Sequence, residues 1–168
     1  MKNNTSLKWE EIVASFFYLG RSPIAPGTVG TLAAMIILIY LKIDNVIHFA
    51  MIISLCYVGG LKAAPWCEKE FGKDPSIFVI DEVIGYWISV LIFWIGIESY
   101  SVPSLIVLFV LFRFFDIVKF GPVKKMEEIE GGHGILLDDV VAGVFAGVVA
   151  LIISVSYTHL TLPTSDLV

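Results

Sequence analysis

The sequence predicts an all-α membrane protein: a polytopic helical bundle of about five short transmembrane or interface-reaching helices, in two hairpins plus one. Three observations lead there. Hydrophobic side chains make up 57% of the 168 residues and charged ones 16%, with a mean hydropathy of +0.87. A soluble chain is about half apolar only when glycine is counted, and about a quarter charged. The apolar residues gather in five runs, 29–41, 46–61, 83–97, 102–115 and 140–155. Within them, 35–41 and 105–112 are apolar all round, as lipid-facing or fully buried helices are, whereas soluble core helices keep a polar outer face. Disorder, collagen and a disulfide scaffold are excluded by the same composition. Cys56 and Cys67 lack the spacing of a metal site.

Taken in order, residues 1–11 are polar and mixed in charge, without the basic start and apolar middle of a cleavable secretory signal. Run one, lengthened by Thr28 and Lys42, is separated from run two by little more than Asp44 and Asn45, a tight helical-hairpin turn. Runs three and four are separated by 98–101, and Pro103 stands at the start of the next helix, where proline is tolerated. Ile117 and Val118 can extend run four. Each run falls short of the ~20 residues that cross a ~30 Å hydrocarbon core, so the spans read as thin or as ending in the interface. Run five stops at 154–157, and 158–168 is polar, patternless and uncharged except for Asp166. That stretch resembles vector read-through rather than a native tail. The expectation is a single membrane domain over 1–157 followed by a non-native 158–168.

The basic residues set the orientation. Lys2, Lys8 and Arg21 precede run one; Lys62, Lys69 and Lys73 lie between runs two and three; Arg113, Lys119, Lys124 and Lys125 close or follow run four. Only Lys42 falls on the other side. By the positive-inside rule the N-terminus and the loops 62–80 and 119–138 are cytoplasmic.

Four polar clusters border those cytoplasmic helix ends. Ser22-Pro-Ile-Ala-Pro-Gly27-Thr28-Val-Gly-Thr31 reads equally as an anion site at a helix N-terminus and as a helix entry capped by Thr28. Asp81-Glu82 opens the third span, with Gly85 one turn on. The helix dipole explains one such acid but not both beside an otherwise uncharged span, and boundary carboxylates of this kind point to function. Arg113, Asp116 and Lys119 stand at i, i+3 and i+6 on one helical face. They suit either a phosphate flanked by two cations or a salt-bridge ladder that anchors the helix. Gly131-Gly-His133-Gly leads as a flexible loop into Asp138-Asp139. Gly143 and Gly147, like Ala142, Ala146 and Ala150, form a small-residue face that allows a close neighbour. Such an approach would bring Asp138-Asp139 toward Asp81-Glu82. Four carboxylates gathered there need a cation between them, and hard oxygens suit Mg²⁺ or Mn²⁺ rather than zinc. A divalent ion held by carboxylates, with Arg and Lys nearby, is the equipment of phosphoryl chemistry. His133 alone among the histidines is placed for catalysis, although a histidine between glycines is more often a solvated loop residue. No cysteine-phosphatase loop, Asp-x-Asp-x-Thr or histidine-based lipid-phosphatase motif is present.

Together Pro26-Gly27-Thr28-Val-Gly30, Asp81-Glu82-x-x-Gly85, Phe112-Arg113-Phe-Phe-Asp116-Ile-Val-Lys119, and Gly131-Gly132-x-Gly134 running to Asp138-Asp139-x-x-Ala142-Gly143 resemble the phosphatidylglycerophosphatase A family, in order over about 17–155. The resemblance implies Mg²⁺-dependent removal of the terminal phosphate of phosphatidylglycerophosphate in the bacterial inner membrane, with the site facing the cytoplasm. It implies Asp81, Glu82, Asp138 and Asp139 as metal ligands, and Arg113, Lys119, Gly27 and Thr28 as binders of the phosphomonoester. Asp116 would orient Lys119 or act on the attacking water, and Asp139 would share in catalysis. Direct water attack and an aspartyl-phosphate intermediate both remain open. The expected partner is a phospholipid in the membrane, with no nucleic acid; the oligomeric state is left open. Three departures from the family pattern stand out. Phe120-Gly121-Pro122 replaces a usual Pro-x-Pro, His133 stands where the family is usually apolar or aromatic, and the chain diverges after about Val155. Another lipid phosphomonoesterase is the nearest alternative. A small transporter would carry polar groups toward the midplane, and a CDP-alcohol phosphotransferase would carry a long Asp-rich signature missing here.

Overall fold

Each apolar run becomes a helix, and two short helices join them. The computed structural model describes residues 8–73, 75–119, 121–126 and 132–161. Its helices are α1 (Trp9–Ala14), α2 (Pro26–Leu41), α3 (Val46–Phe71), α4 (Ile80–Ile97), α5 (Val102–Val118), α6 (Pro122–Met126) and α7 (Gly132–Thr161). A single 3₁₀ turn, Leu19–Arg21, precedes α2. No strand occurs among the described residues. α3, α4 and α7 as far as Tyr157 are long and apolar enough to cross a membrane. α2 and α5, with 16 and 17 residues, reach only ~25 Å at 1.5 Å per residue.

The hairpins are locally encoded. Asn45 caps α3 by accepting from the Ile47 and His48 N–H groups at 2.9 and 3.0 Å. Ser101 and Ser104 form a capping box at α5, in which each side chain takes up the other's free backbone N–H. α2 and α4 both end on a left-handed residue, Lys42 (φ 45°) and Glu98 (φ 62°). Tyr100 donates to the Ile43 carbonyl at 2.9 Å and so ties the two turns together at the end opposite the acidic residues.

α4 is the hub, packing on α2, α3, α5 and most extensively on α7. Trp87 Nε1 donates to the Ala34 carbonyl of α2 at 3.1 Å, and the Tyr86 hydroxyl to the Leu105 carbonyl of α5 at 3.0 Å. Ala142, Ala146 and Ala150 of α7 are buried, and Gly143 lies so close to α4 that an added Cβ would strike the Gly85 carbonyl. The outer surface is inverted relative to a soluble protein. Leu32, Ile36, Met51, Leu55, Ile95, Val110, Phe114, Val148 and Ile152 are all exposed, an apolar coat that suits lipid. The chain is a membrane protein.

Three expectations need correction. The loop 62–80 shrinks, because α3 continues to Phe71 even with Pro65 inside it. Residues 62–71 are amphipathic, burying Ala63, Ala64 and Cys67 while Lys62, Lys69 and Glu70 stay exposed, and that buried side packs on α1 and α7. The glycine-rich stretch is helical from Gly132, not a loop. Gly132 serves packing: a Cβ there would lie 2.7 Å from the Ala64 Cβ. Gly131 lies outside the described residues. Finally, Thr28 is not an N-cap. α2 begins at Pro26 behind Ala25, whose φ is 45°, and Thr28 lies in the first turn. α7 itself ends at Thr161, and 162–168 lie outside the described residues.

Candidate active site

The chain reverses direction between successive long helices, so the α2 N-terminus, the α4 N-terminus, the α5 C-terminus and the early turns of α7 gather at one end. There Asp81, Glu82 and Asp139 each offer a carboxylate oxygen within 4.8 Å of the other two. Asp81 and Asp139 are buried, Glu82 half-buried. At an effective dielectric of about 20, two unit charges at that separation repel by about 3–4 kcal/mol, so the trio needs positive charge between its members. Asp139 is the eighth residue of α7, beyond the first turn in which a helix dipole supports an anion.

Each acidic pair is braced by its own backbone. Asp81 Oδ1 accepts from the Glu82 N–H, and Asp138 Oδ1 from the Asp139 N–H, both at 3.0 Å. The structure divides the second pair. Asp139 joins the trio, whereas Asp138 Oδ2 accepts from Lys119 Nζ at 2.9 Å. Lys119 is the left-handed C-cap of α5 (φ 42°), the residue at which the chain leaves the helix beside α7.

Nearly two turns back on α5, Arg113 Nη1 lies 2.8 Å from Asp116 Oδ2. Among the described residues Arg113 Nε and Glu82 Oε2 are buried without a hydrogen-bond partner, and Arg113 Nη1 is buried with the Asp116 ion pair but no hydrogen bond. Buried donors and acceptors of this kind are costly unless something completes them. Asp116 faces inward, within electrostatic range of Glu82 and Asp139. Gly27 brings the α2 N-terminus against this group: an added Cβ would collide with Glu82 Oε1 and come within 3.4 Å of Arg113 Nη1. Thr28 is half-buried in the same turn, and His133 is exposed.

Three residues that stand in the sequence motifs take on packing roles that the sequence did not assign. Thr31 is fully buried and donates to the Gly27 carbonyl at 2.9 Å, which stiffens the turn that meets Glu82. A Cβ on Gly85 would lie 2.5 Å from the Asp139 carbonyl and 2.6 Å from Phe112 Cε2, so Gly85 sets the spacing between α4 and α7. Phe112 is the buried ring that fills the same crossing. Only the small-residue face of the fifth helix signalled this crossing. The oxygen-only donors, the unpartnered Glu82 Oε2 and the spacing of the trio all fit a hard divalent cation.

The phosphatidylglycerophosphatase A profile matches residues 12–154. A protein of Bacteroides thetaiotaomicron named putative phosphatidylinositol-3-phosphatase is 38% identical over 149 residues, covering 80% of this chain and 87% of its own. Proteins named phosphatidylglycerophosphatase A from Haemophilus influenzae and Escherichia coli K12 are 36% and 31% identical. They cover 77% and 80% of this chain, and 78% and 77% of their own. No solved structure matches. The chain therefore belongs to the phosphatidylglycerophosphatase A family and is an enzyme, a phosphoric monoester hydrolase.

Proposed function

We propose that this protein removes the terminal phosphate of phosphatidylglycerophosphate, giving phosphatidylglycerol and inorganic phosphate at the cytoplasmic face of a bacterial inner membrane. The observation that carries the reading is the trio Asp81, Glu82 and Asp139 beside Arg113, whose Nε and Nη1 are buried and incompletely partnered. Carboxylates alone repel a phosphomonoester. Carboxylates around a divalent ion, next to a guanidinium, bind one.

Asp81, Glu82 and Asp139 would hold Mg²⁺, with Asp138 close by on Lys119. When bound, the ion supplies charge stabilisation to the phosphoryl oxygens. Arg113 Nε and Nη1 donate to phosphate oxygens, and Asp116 keeps the guanidinium turned toward the trio. Lys119, held by Asp138, offers a second cation from the same end of α5. The N-terminus of α2 at Gly27 and Thr28 gives the phosphate a positive helix end. Asp116, beside Asp139, would either accept the proton of a water that attacks phosphorus, or itself attack phosphorus as the P–O bond to the glycerol breaks. In the second route the glycerol oxygen leaves with a proton and water then hydrolyses the aspartyl phosphate. Exchange of labelled oxygen between water and phosphate separates the two routes. The excess of Lys and Arg at this end supports a cytoplasmic site.

The test is phosphate release from phosphatidylglycerophosphate by the detergent-purified protein. Phosphatidylinositol 3-phosphate serves as the comparison substrate, since one relative carries that name. Release is expected with Mg²⁺ and lost with EDTA, and Mg²⁺ in excess restores it. Release that survives the chelator refutes the metal reading; preference for the inositol lipid refutes the substrate.

Replacing Lys119 by Met is expected to lower kcat/KM by about 10- to 100-fold, the worth of one hydrogen bond to a charged group. The loss should appear mainly in KM. An unchanged KM would remove Lys119 from phosphate binding.

A further inference from the structure

A cleft of about 290 Å³ opens in the apolar surface between α1 and α3, and its lining is almost wholly apolar. Val13 and Phe17 form one wall, Leu55 and Gly59 the other, and Ile80 closes the inner end. We propose that this cleft seats one acyl chain of the lipid phosphomonoester whose headgroup the carboxylate trio receives; the inference rests on the function proposed above.

Three observations support that occupant. The cleft reaches the polar end of the bundle, because Ile80 at its inner end stands in the same first turn of α4 as Asp81. It also points the right way. A Cβ on Gly60 would lie 3.3 Å from Ile80 Cγ2, so Gly59 and Gly60 stand level with the first turn of α4. α3 runs away from that end toward Val46, which places Leu55 a turn deeper in the span. A chain leaving the headgroup at Asp81 would thus descend along α3 toward the membrane interior. The volume lies at the small end of ligand pockets (~300–1,000 Å³), which suits one slender chain rather than a headgroup.

The mouth is built at a conformational cost. Phe16, Phe17 and Tyr18 follow one another with φ of 43°, 58° and 67°, a region that bulky residues rarely enter. The Tyr18 N–H donates to Ser15 Oγ at 3.0 Å and the Gly20 N–H to the Ser15 carbonyl at 2.9 Å. The Val79 N–H donates to the Ala14 carbonyl at 2.9 Å, which ties the strained turn to the start of α4. Its result is Phe17, 71% exposed at the rim of the cleft. Strain held in this way belongs with ligand clamps.

The experiment compares dipalmitoyl- with dihexanoyl-phosphatidylglycerophosphate. Gly59→Leu fills the cleft, where a Cβ meets only Val13 Cγ1 at 3.4 Å. Leu55→Trp, at a position 74% exposed, narrows the mouth without entering the core. Each is expected to lower the long-chain to short-chain ratio of kcat/KM about tenfold, in the range a few methylenes command in an apolar pocket. In parallel, a phosphatidylglycerophosphate carrying a mid-chain diazirine should label the peptides of Phe17 and Leu55. Long-chain substrate should compete, and dipalmitoyl-phosphatidylcholine should not. An unchanged ratio in both variants overturns the inference. So does equal competition by phosphatidylcholine, which would mean bulk lipid, or a dimer that Leu55→Trp dissociates, which would mean a second copy. Cross-linking is read whether or not the protein turns over. Failure of the headgroup reading, seen as no phosphate release from either substrate, is thereby separated from failure of the cleft.

Discussion

Asp139→Asn is expected to reduce phosphate release by roughly 10³-fold, the upper end of what removing one preorganised electrostatic group costs, while leaving the fold intact. Asn keeps the shape of the side chain and the backbone carbonyl that lies against Gly85, so the packing of α4 on α7 persists. What goes is one of three charges whose oxygens lie within 4.8 Å of one another. Asp138→Asn provides the contrast. Its carboxylate takes Lys119 at 2.9 Å and lies outside the trio, so its loss should act through the position of Lys119 and resemble Lys119→Met. Phosphate release at saturating and limiting Mg²⁺ distinguishes the two. Asp139→Asn should not recover at any Mg²⁺ concentration, and Asp138→Asn should keep the Mg²⁺ dependence of the unaltered protein. Equal defects in both variants would dissolve the distinction between the two aspartates.

The second large effect is steric. Gly143→Ala places a methyl group against the Gly85 carbonyl. Backbone cannot step aside as a side chain can, so α4 and α7 must separate. Overpacking of this kind costs about 1–3 kcal/mol, and here it also widens the gap between Asp139 and the Asp81-Glu82 pair. Activity should therefore fall further than stability does. Gly96→Ala is the control on the same helix pair. Its Cβ would lie 2.5 Å from Leu151 Cδ1, the far end of a flexible side chain that can rotate away. Thermal unfolding in detergent and phosphate release, measured on both variants, should show a folded but nearly inactive Gly143→Ala and a near-normal Gly96→Ala. Equal losses would mean that the crossing distance does not govern the site.

Much of this was legible before any coordinates. The apolar runs located the helices because lipid leaves the backbone few choices. The Asp44-Asn45 and 98–101 breaks marked the hairpin turns because caps are local chemistry. Less legible were the helix limits at the polar end. Residues 62–71 and 132–139 look like loops, being charged or glycine-rich, yet they are helical because they pack on neighbouring helices: Gly132 lies on Ala64, and Leu136 on Gly60 further down α3. That support comes from another element and leaves no local signature.

The sequence by itself determined that this is a helical membrane protein with its acids and bases collected at one end, since hydropathy and charge placement are properties of the linear chain. It named Asp81, Glu82, Asp138 and Asp139 as a single set. Only the tertiary structure decided which of them converge. Gly85 and Gly143 set the rotation and spacing of α4 against α7, and in that setting only Asp139 of its pair brings an oxygen within 4.8 Å of Asp81 and Glu82. Asp139 turns to the trio and Asp138 to Lys119, a division set by helix rotation, which sequence spacing does not specify.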